Sequence, residues 1–325
     1  MNLANLHLIM PAISVVIPTY RHAHTVLETL ESVFAQTLTN YEVIVVNDGS
    51  PDETAQLLAP LVTSGQIRYF EQINKGQAAA RNRGLLEARG EFVAFLDDDD
   101  LWPEDKLQWQ WDYLSKNADV ILIGGCCNLL YPDGTHGENV VLHEGTITVQ
   151  TVSQGSPFFS PGQTLIRRDV LTAVGGFDAA IWGADDMDLW FRLALRGKLV
   201  AQARRALHYR IHEANASRDV IKMYTNAFRM VRRHIRMVDR IDRKQIAAQY
   251  FKWLYTYLGE HVLGEIISLV RCQPQRGWTL RDVVEVCSSF VIEPQLGGRI
   301  VRDAIRRMRS RIVIGNHNRA MGTKS

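Results

Sequence analysis

Four short apolar runs, at residues 13–17, 42–46, 67–70 and 92–96, are rich in β-branched or aromatic side chains and are separated by stretches with helical spacing. No other feature constrains the fold as much. The first two runs have the length and composition of strands buried on both faces, and the third and fourth read as strands. In the first interval Val26, Leu27, Leu30, Val33 and Phe34 share a helical face, and residues 25–28 have the form of a capping box. In the second, Ser50 is the expected N-cap, Pro51 the first helical residue and Glu53 the partner that completes a box. A third helix is expected over 77–89. The alternation predicts an α/β fold with a mostly parallel sheet covered by helices on both faces. Open sheets of this kind bind ligands beyond the carboxyl ends of their strands. Asp48 and the aspartates at 97–100 both follow such ends.

Beyond the fourth run the pattern predicts a helix over 103–116, a strand at 120–123 and a helix starting near Asp185 that carries Leu189, Trp190, Leu193 and Ala194 up to Gly197. Residues 131–163, rich in Gly, Pro and Ser, specify little. Residues 220–325 read as largely helical, with Ile221, Tyr224, Phe228, Val231 and Ile235 on one face and Arg229, Arg232, Arg233 and Arg236 elsewhere. Charge divides the same way. Residues 221–325 hold 20 Lys and Arg against 8 Asp and Glu, a surplus of +12, which leaves −10 on residues 1–220. Two parts are therefore expected: 1–219, carrying the ligand site, and 220–325, basic and mainly helical.

Cys126, Cys127, Cys272 and Cys287 show neither a metal spacing nor the density of a disulfide scaffold, and read as buried thiols in a reducing compartment. Residues 1–10 carry no Lys or Arg and lack the layout of a secretory signal, and no apolar run is long enough to span a membrane. The expectation is a cytoplasmic protein. The stripe Ile300, Val301, Ala304, Ile305 and Met308 beside Arg299, Arg302, Arg306, Arg307 and Arg309 suits a helix packed on the first part, the reading preferred, or peripheral contact with the cytoplasmic face of a membrane.

Asp97, Asp98, Asp99 and Asp100 repel one another, so cations or backbone donors must compensate them. In extended backbone Asp97 and Asp99 would face one ligand while Asp98 and Asp100 pointed away. Oxygen ligands of this kind suit Mg2+ or Mn2+, held together with phosphate oxygens. A solvated acidic turn is the bland alternative, and the position at the ligand edge of the sheet argues against it. The segment with Lys75, Gly76, Arg81 and Arg83 adds cations at a helix start, where backbone amides already favour a phosphate.

Five segments in order, Val15-Val16-Ile17-Pro18-Thr19-Tyr20, Val46-Asn47-Asp48-Gly49-Ser50, the block 74–84, Phe95-Leu96 with the aspartates, and Asp185-Asp186-Met187-Asp188-Leu189-Trp190, resemble the bacterial inverting family 2 glycosyltransferases of GT-A fold. The likeness covers roughly residues 12–215. It implies a donor site in which Thr19, Tyr20 and Asp48 meet the nucleotide, Lys75 and Arg81 approach the donor, and Asp97 and Asp98 complete the contacts. It implies metal ligation by Asp99, with Asp97 and His212 as further candidates. Asp186 matches the catalytic base, and its neighbour Asp185 departs from the usual Glu of that pair. Trp182 and Trp190 are candidates for an acceptor wall or for core.

The resemblance implies an enzyme that moves a sugar from a UDP-sugar or another nucleotide-diphosphate sugar onto a saccharide or lipid-linked glycan. A catalytically silent nucleotide-sugar-binding or partner protein that retained the fold is the alternative, and the acidic pair at 185 and 186 speaks against it. A dinucleotide dehydrogenase is excluded, since no GxGxxG follows the first strand. Nucleic acid is not an expected partner, because no binding motif accompanies the basic region.

Overall fold

The computed structural model describes residues 10–212, 220–254 and 256. The chain divides between residues 215 and 216 into two units. The first unit runs β1 (Ile13–Thr19), α1 (Val26–Phe34), β2 (Tyr41–Asn47), α2 (Thr54–Thr63), β3 (Arg68–Glu71), α3 (Gln77–Glu87) and β4 (Phe92–Phe95). It continues through α4 (Lys106–Lys116), β5 (Val120–Leu130), β6 (His136–Val140), β7 (Gly145–Ile147), α5 (Val149–Gln154), β8 (Thr164–Arg167), α6 (Arg168–Ala173), α7 (Asp185–Ala194) and β9 (Lys198–Arg210).

All nine strands form one sheet in the order β3-β2-β1-β4-β8-β5-β9-β7, with β6 on β5. The α/β expectation holds. The sheet is parallel through β3-β2-β1-β4, while β8 runs antiparallel to both of its neighbours and makes the far half mixed. Every residue of β1 and β4 is buried, as their unbroken apolar sequences require. The register pairs Thr19 with Asn47 and Val16 with Phe95, so β1, β2 and β4 end at one edge. Asp48 and the four aspartates leave the sheet there.

Three helix starts differ from expectation, α4 among them, which begins at Lys106 rather than at Pro103. Thr25 makes no side-chain cap to α1. Helix α2 begins at Thr54 rather than Pro51, because the Ser50 hydroxyl accepts from the amide of Arg21 and Asp52 instead accepts from the amide and hydroxyl of Thr54. A contact 29 residues away has taken the group that would have capped the helix.

Gly84 is what lets α3 lie against β1. A Cβ there would stand 2.2 Å from Cγ1 of Val16, a side chain with little rotameric freedom. Gly84→Val is expected to destabilise the protein by about 3 kcal/mol through overpacking, read as a lowered Tm. An unchanged Tm would show that α3 can stand off from the sheet.

Cys126 and Cys127 are buried free thiols on β5, and burial pushes the Cys127 thiol up to about 12. In the second unit α8 (Val220–Met237) buries Tyr224, Phe228 and Val231, half-buries Ile235 and exposes Arg229, Arg232 and Arg236. The imidazole of buried His234 lies 2.6 Å from the hydroxyl of Tyr250 on α9 (Arg240–Trp253). Among the described residues no helix is long and apolar enough to cross a membrane. The side chain of Ile221, residues 1–9, Cys272, Cys287 and the stripe at 299–309 lie outside the described residues.

Candidate active site

The aspartate run is not extended. The amide of Asp100 donates to the carbonyl of Asp97, and the chain turns through Asp98 and Asp99. The two-residue alternation expected of a strand therefore fails, and the four carboxylates take four different surroundings. Asp97 accepts from Arg81 at 2.6 Å, Gln77 at 2.9 Å and the Ser160 hydroxyl at 3.4 Å. Buried Asp98 accepts from the Tyr20 amide and sits 2.6 Å from Nδ1 of His22. Asp99 Oδ2 lies 2.7 Å from Nε2 of His212. Asp100, fully enclosed, accepts from the Arg210 amide at 2.9 Å.

The negative charges in this turn exceed what its own partners offset. Burial, then the charges of Asp97 and Asp98, raise the Asp99 carboxyl above its ordinary value. Burial and Asp99 raise Asp100 further. The hydrogen bond to Asp98, working against burial, lifts the His22 imidazole to about 9. Ligand atoms of His22, Asp98 and Asp99 all lie within 4.8 Å of one another, among two hard carboxylates and an imidazole. Once His22 gives up its proton, that donor set fits a divalent cation of the Mg2+ or Mn2+ kind, whose charge would replace that of the imidazolium and relieve the crowding.

The two acidic regions meet through Arg81. This guanidinium, only 3% exposed, reaches Asp97 with one nitrogen and Asp185 with another at 3.3 Å. Burial opposes its charge, but Asp97 and Asp185 more than compensate and hold it above its usual value. Asp185 and Asp186 open α7. Asp186 is partly exposed, accepts from the Met187 amide at 2.6 Å, and is pushed up to about 7 by burial and then by the charge on Asp185. Burial also raises Asp185, against the pull of Arg81.

The remaining candidates occupy the same edge. Asp48, 3% exposed, accepts from Gln72 Nε2 at 2.7 Å and from the amides of Lys75 at 2.9 Å and Gly76 at 2.8 Å. It fastens the 72–76 loop to the end of β2. Gly49 makes this approach possible: its φ is +75°, and a Cβ would sit 3.1 Å from the backbone of residues 72 and 74. The Lys75 side chain is exposed, Tyr20 presents 36% of its surface, and Thr19 is buried with its hydroxyl lacking a protein partner. Trp190 is wholly buried, packed edge-on against Phe158, and belongs to the core rather than to an acceptor wall; Trp182 is half-buried.

His22 is a member of the cluster that sequence reading did not single out. Its signal was present, a histidine two residues past Tyr20 on the ligand edge, but its partner lies 76 residues away. Arg21, the non-glycine residue with positive φ (63°) among those described, turns the chain just before it.

A parallel half-sheet that delivers an aspartate turn and a second acidic pair to one cleft defines the GT-A class of fold. Residues 14–175 match the sequence model of glycosyl transferase family 2, and the chain belongs to that family. An uncharacterized glycosyltransferase of Rickettsia felis is 31% identical over 194 residues, 58% of this chain and 31% of the relative. The UDP-Glc:alpha-D-GlcNAc-diphosphoundecaprenol beta-1,3-glucosyltransferase WfgD of Escherichia coli is 37% identical over 112 residues, 34% of this chain and 44% of the relative. The chain thus spans less than half the length of either. The crystal structure of S. aureus TarS 1-349 in complex with UDP-GlcNAc superposes with a TM-score of 0.62 at 19% identity, over 75% of this chain and 73% of that one. At that identity the likeness concerns the fold.

Proposed function

We propose that this chain transfers a sugar from a nucleotide-diphosphate sugar to a hydroxyl of a saccharide or lipid-linked glycan, with inversion at the anomeric carbon and Asp186 as the base. One observation carries the reading. Arg81 ties the aspartate turn to the helix that begins with Asp185 and Asp186, which supports a pyrophosphate site and a proton acceptor close to one another. The names of two similar proteins agree with it, since one uses UDP-Glc on a lipid-linked sugar and the other binds UDP-GlcNAc.

Asp99 would hold the cation with Asp98 and His22, and Asp97 and His212 stand beside Asp99. When bound, Mg2+ or Mn2+ compensates the negative charge that collects on the departing diphosphate. Tyr20 offers an exposed ring to the base, and Thr19 and Asp48 lie at the same edge for the nucleoside. Lys75 is free to approach the phosphates because its amide, not its side chain, is held by Asp48. On the acceptor side, the oxygen–carbon bond forms as the carbon–phosphate oxygen bond breaks, and the hydroxyl proton passes to Asp186. A carboxylate near 7 is well matched to take that proton during bond formation. The basic character of residues 221–325 suits an acceptor presented on an anionic membrane at the cytoplasmic face.

The test is turnover of UDP-glucose and UDP-N-acetylglucosamine with Mn2+ or Mg2+ against EDTA. Asp99→Ala is expected to lower metal-stimulated turnover about 100-fold and to abolish the Mn2+-dependent part of the thermal shift produced by UDP. Full turnover in that variant would remove Asp99 from metal binding.

A further inference from the structure

We propose that Phe159 and Tyr209 form a stacking platform for the pyranose ring of the acceptor, an assignment that rests on the reading of this cleft as a glycosyltransferase site. A single exposed aromatic would mean nothing, since scattered apolar residues are normal on protein surfaces. This one is paired with a second ring, and the backbone beneath both rings is hydrogen-bonded into the site.

Phe158 and Phe159 point opposite ways. Phe158 is buried against Trp190 of α7, the helix that opens with Asp185 and Asp186, whereas Phe159 is 39% exposed with its ring 5.7 Å from that of Tyr209. The backbone under Phe159 cannot swing. Oε1 of the buried Gln163 accepts from the amides of Phe159 at 2.6 Å and Ser160 at 3.3 Å, and its Nε2 donates to the carbonyl of Gly125 at 2.7 Å. The Ser160 hydroxyl accepts from the Gly162 amide and lies 3.4 Å from Asp97. Tyr209 is anchored from the other flank, because the next residue, Arg210, donates to Asp100 through its amide and to the Asp99 carbonyl through Nε. Both rings therefore hang from segments pinned to the aspartate turn.

The chemistry of such a surface is specific. A pyranose has faces of C–H groups and a rim of hydroxyls, so one face can lie on an aromatic ring while the rim is left to polar groups. Aromatic rings have only two side-chain torsions, so they lose little freedom on binding. The loop that carries Phe159 is held to Asp97 through Ser160 and packs through Phe158 on Trp190 of α7, the helix that opens with the proposed base. The ring it takes is accordingly that of the acceptor, not the nucleotide or the donor sugar.

Saturation-transfer NMR on the full chain with UDP and Mn2+ tests this, using methyl α-glucoside, methyl α-galactoside and methyl α-N-acetylglucosaminide as probes. At least one glycoside should receive saturation at its ring protons, Phe159→Ala should weaken its affinity about fivefold or more, and Phe159→Tyr should retain it. UDP affinity and hydrolysis of the UDP-sugar should stay unchanged in both variants. Equal glycoside binding in Phe159→Ala would overturn the platform, as would wild-type protein that binds UDP but none of the glycosides. A matching loss of UDP affinity or donor hydrolysis would overturn it by assigning the rings to the donor. Failure of wild-type protein to bind UDP with Mn2+ would instead overturn the glycosyltransferase reading itself, and the platform with it.

Discussion

Asp186→Asn lowers the transfer rate about 10²- to 10⁴-fold, the usual effect of removing a positioned general base, while the affinity for UDP and Mn2+ stays nearly unchanged. The amide keeps the size of the side chain and can still accept from Met187, so folding should survive. The pH profile supplies the sharper test. A base must be deprotonated to act, so the wild-type rate should rise with pH through about 7 and level off above it. That limb should vanish in Asp186→Asn. In Asp185→Asn it should move toward lower pH, because the second-largest cause of the raised value, the like charge on Asp185, is gone. A flat profile with full activity in Asp186→Asn would exclude the residue as base.

Arg81→Met is expected to cost about 3–5 kcal/mol of stability, because it leaves two partly or wholly buried carboxylates without their shared cation. For a domain of this size that corresponds to a fall in Tm of about 6–20 °C. Lysine should rescue poorly, since a single ammonium cannot reach Asp97 and Asp185 with separate nitrogens as the guanidinium does. Activity should fall further than stability explains, because the same side chain sets the aspartate turn against α7. Adding Asp185→Asn to Arg81→Met should recover part of the lost Tm, a coupling that independent sites would not show. A Tm within about 1 °C of wild type for Arg81→Met would mean that the bridge contributes nothing.

Much of the fold was legible because its signals are local. The apolar runs and helical intervals of residues 13–96 encode β1 through β4 through nearest-neighbour periodicity, and a parallel sheet is the arrangement that buries β1, β4 and most of β2, with β3 at its edge. The errors fall where a distant group intervenes. Ser50 carries the chemistry of an N-cap, yet the Arg21 amide claims its hydroxyl and α2 starts later. Residues 97–100 look extended after a strand, yet they turn, and each carboxylate finds a partner far along the chain. The long β5 and the antiparallel β8 flank a stretch whose Gly, Pro and Ser content specifies little locally. Trp190 shows the same limit, since nothing near it in sequence reveals that Phe158 covers it.

The order of the apolar runs and the identity of the acidic residues that follow them are properties of the sequence alone, and they suffice to set the sheet edge where chemistry can occur. Tertiary structure decided which side chains meet: Arg81 between Asp97 and Asp185, His22 on Asp98, His212 on Asp99, and Phe159 beside Tyr209. The reason is physical. Periodicity acts between neighbours a few residues apart, whereas electrostatic and ring contacts depend on separations in space that only the assembled sheet and its crossing loops create.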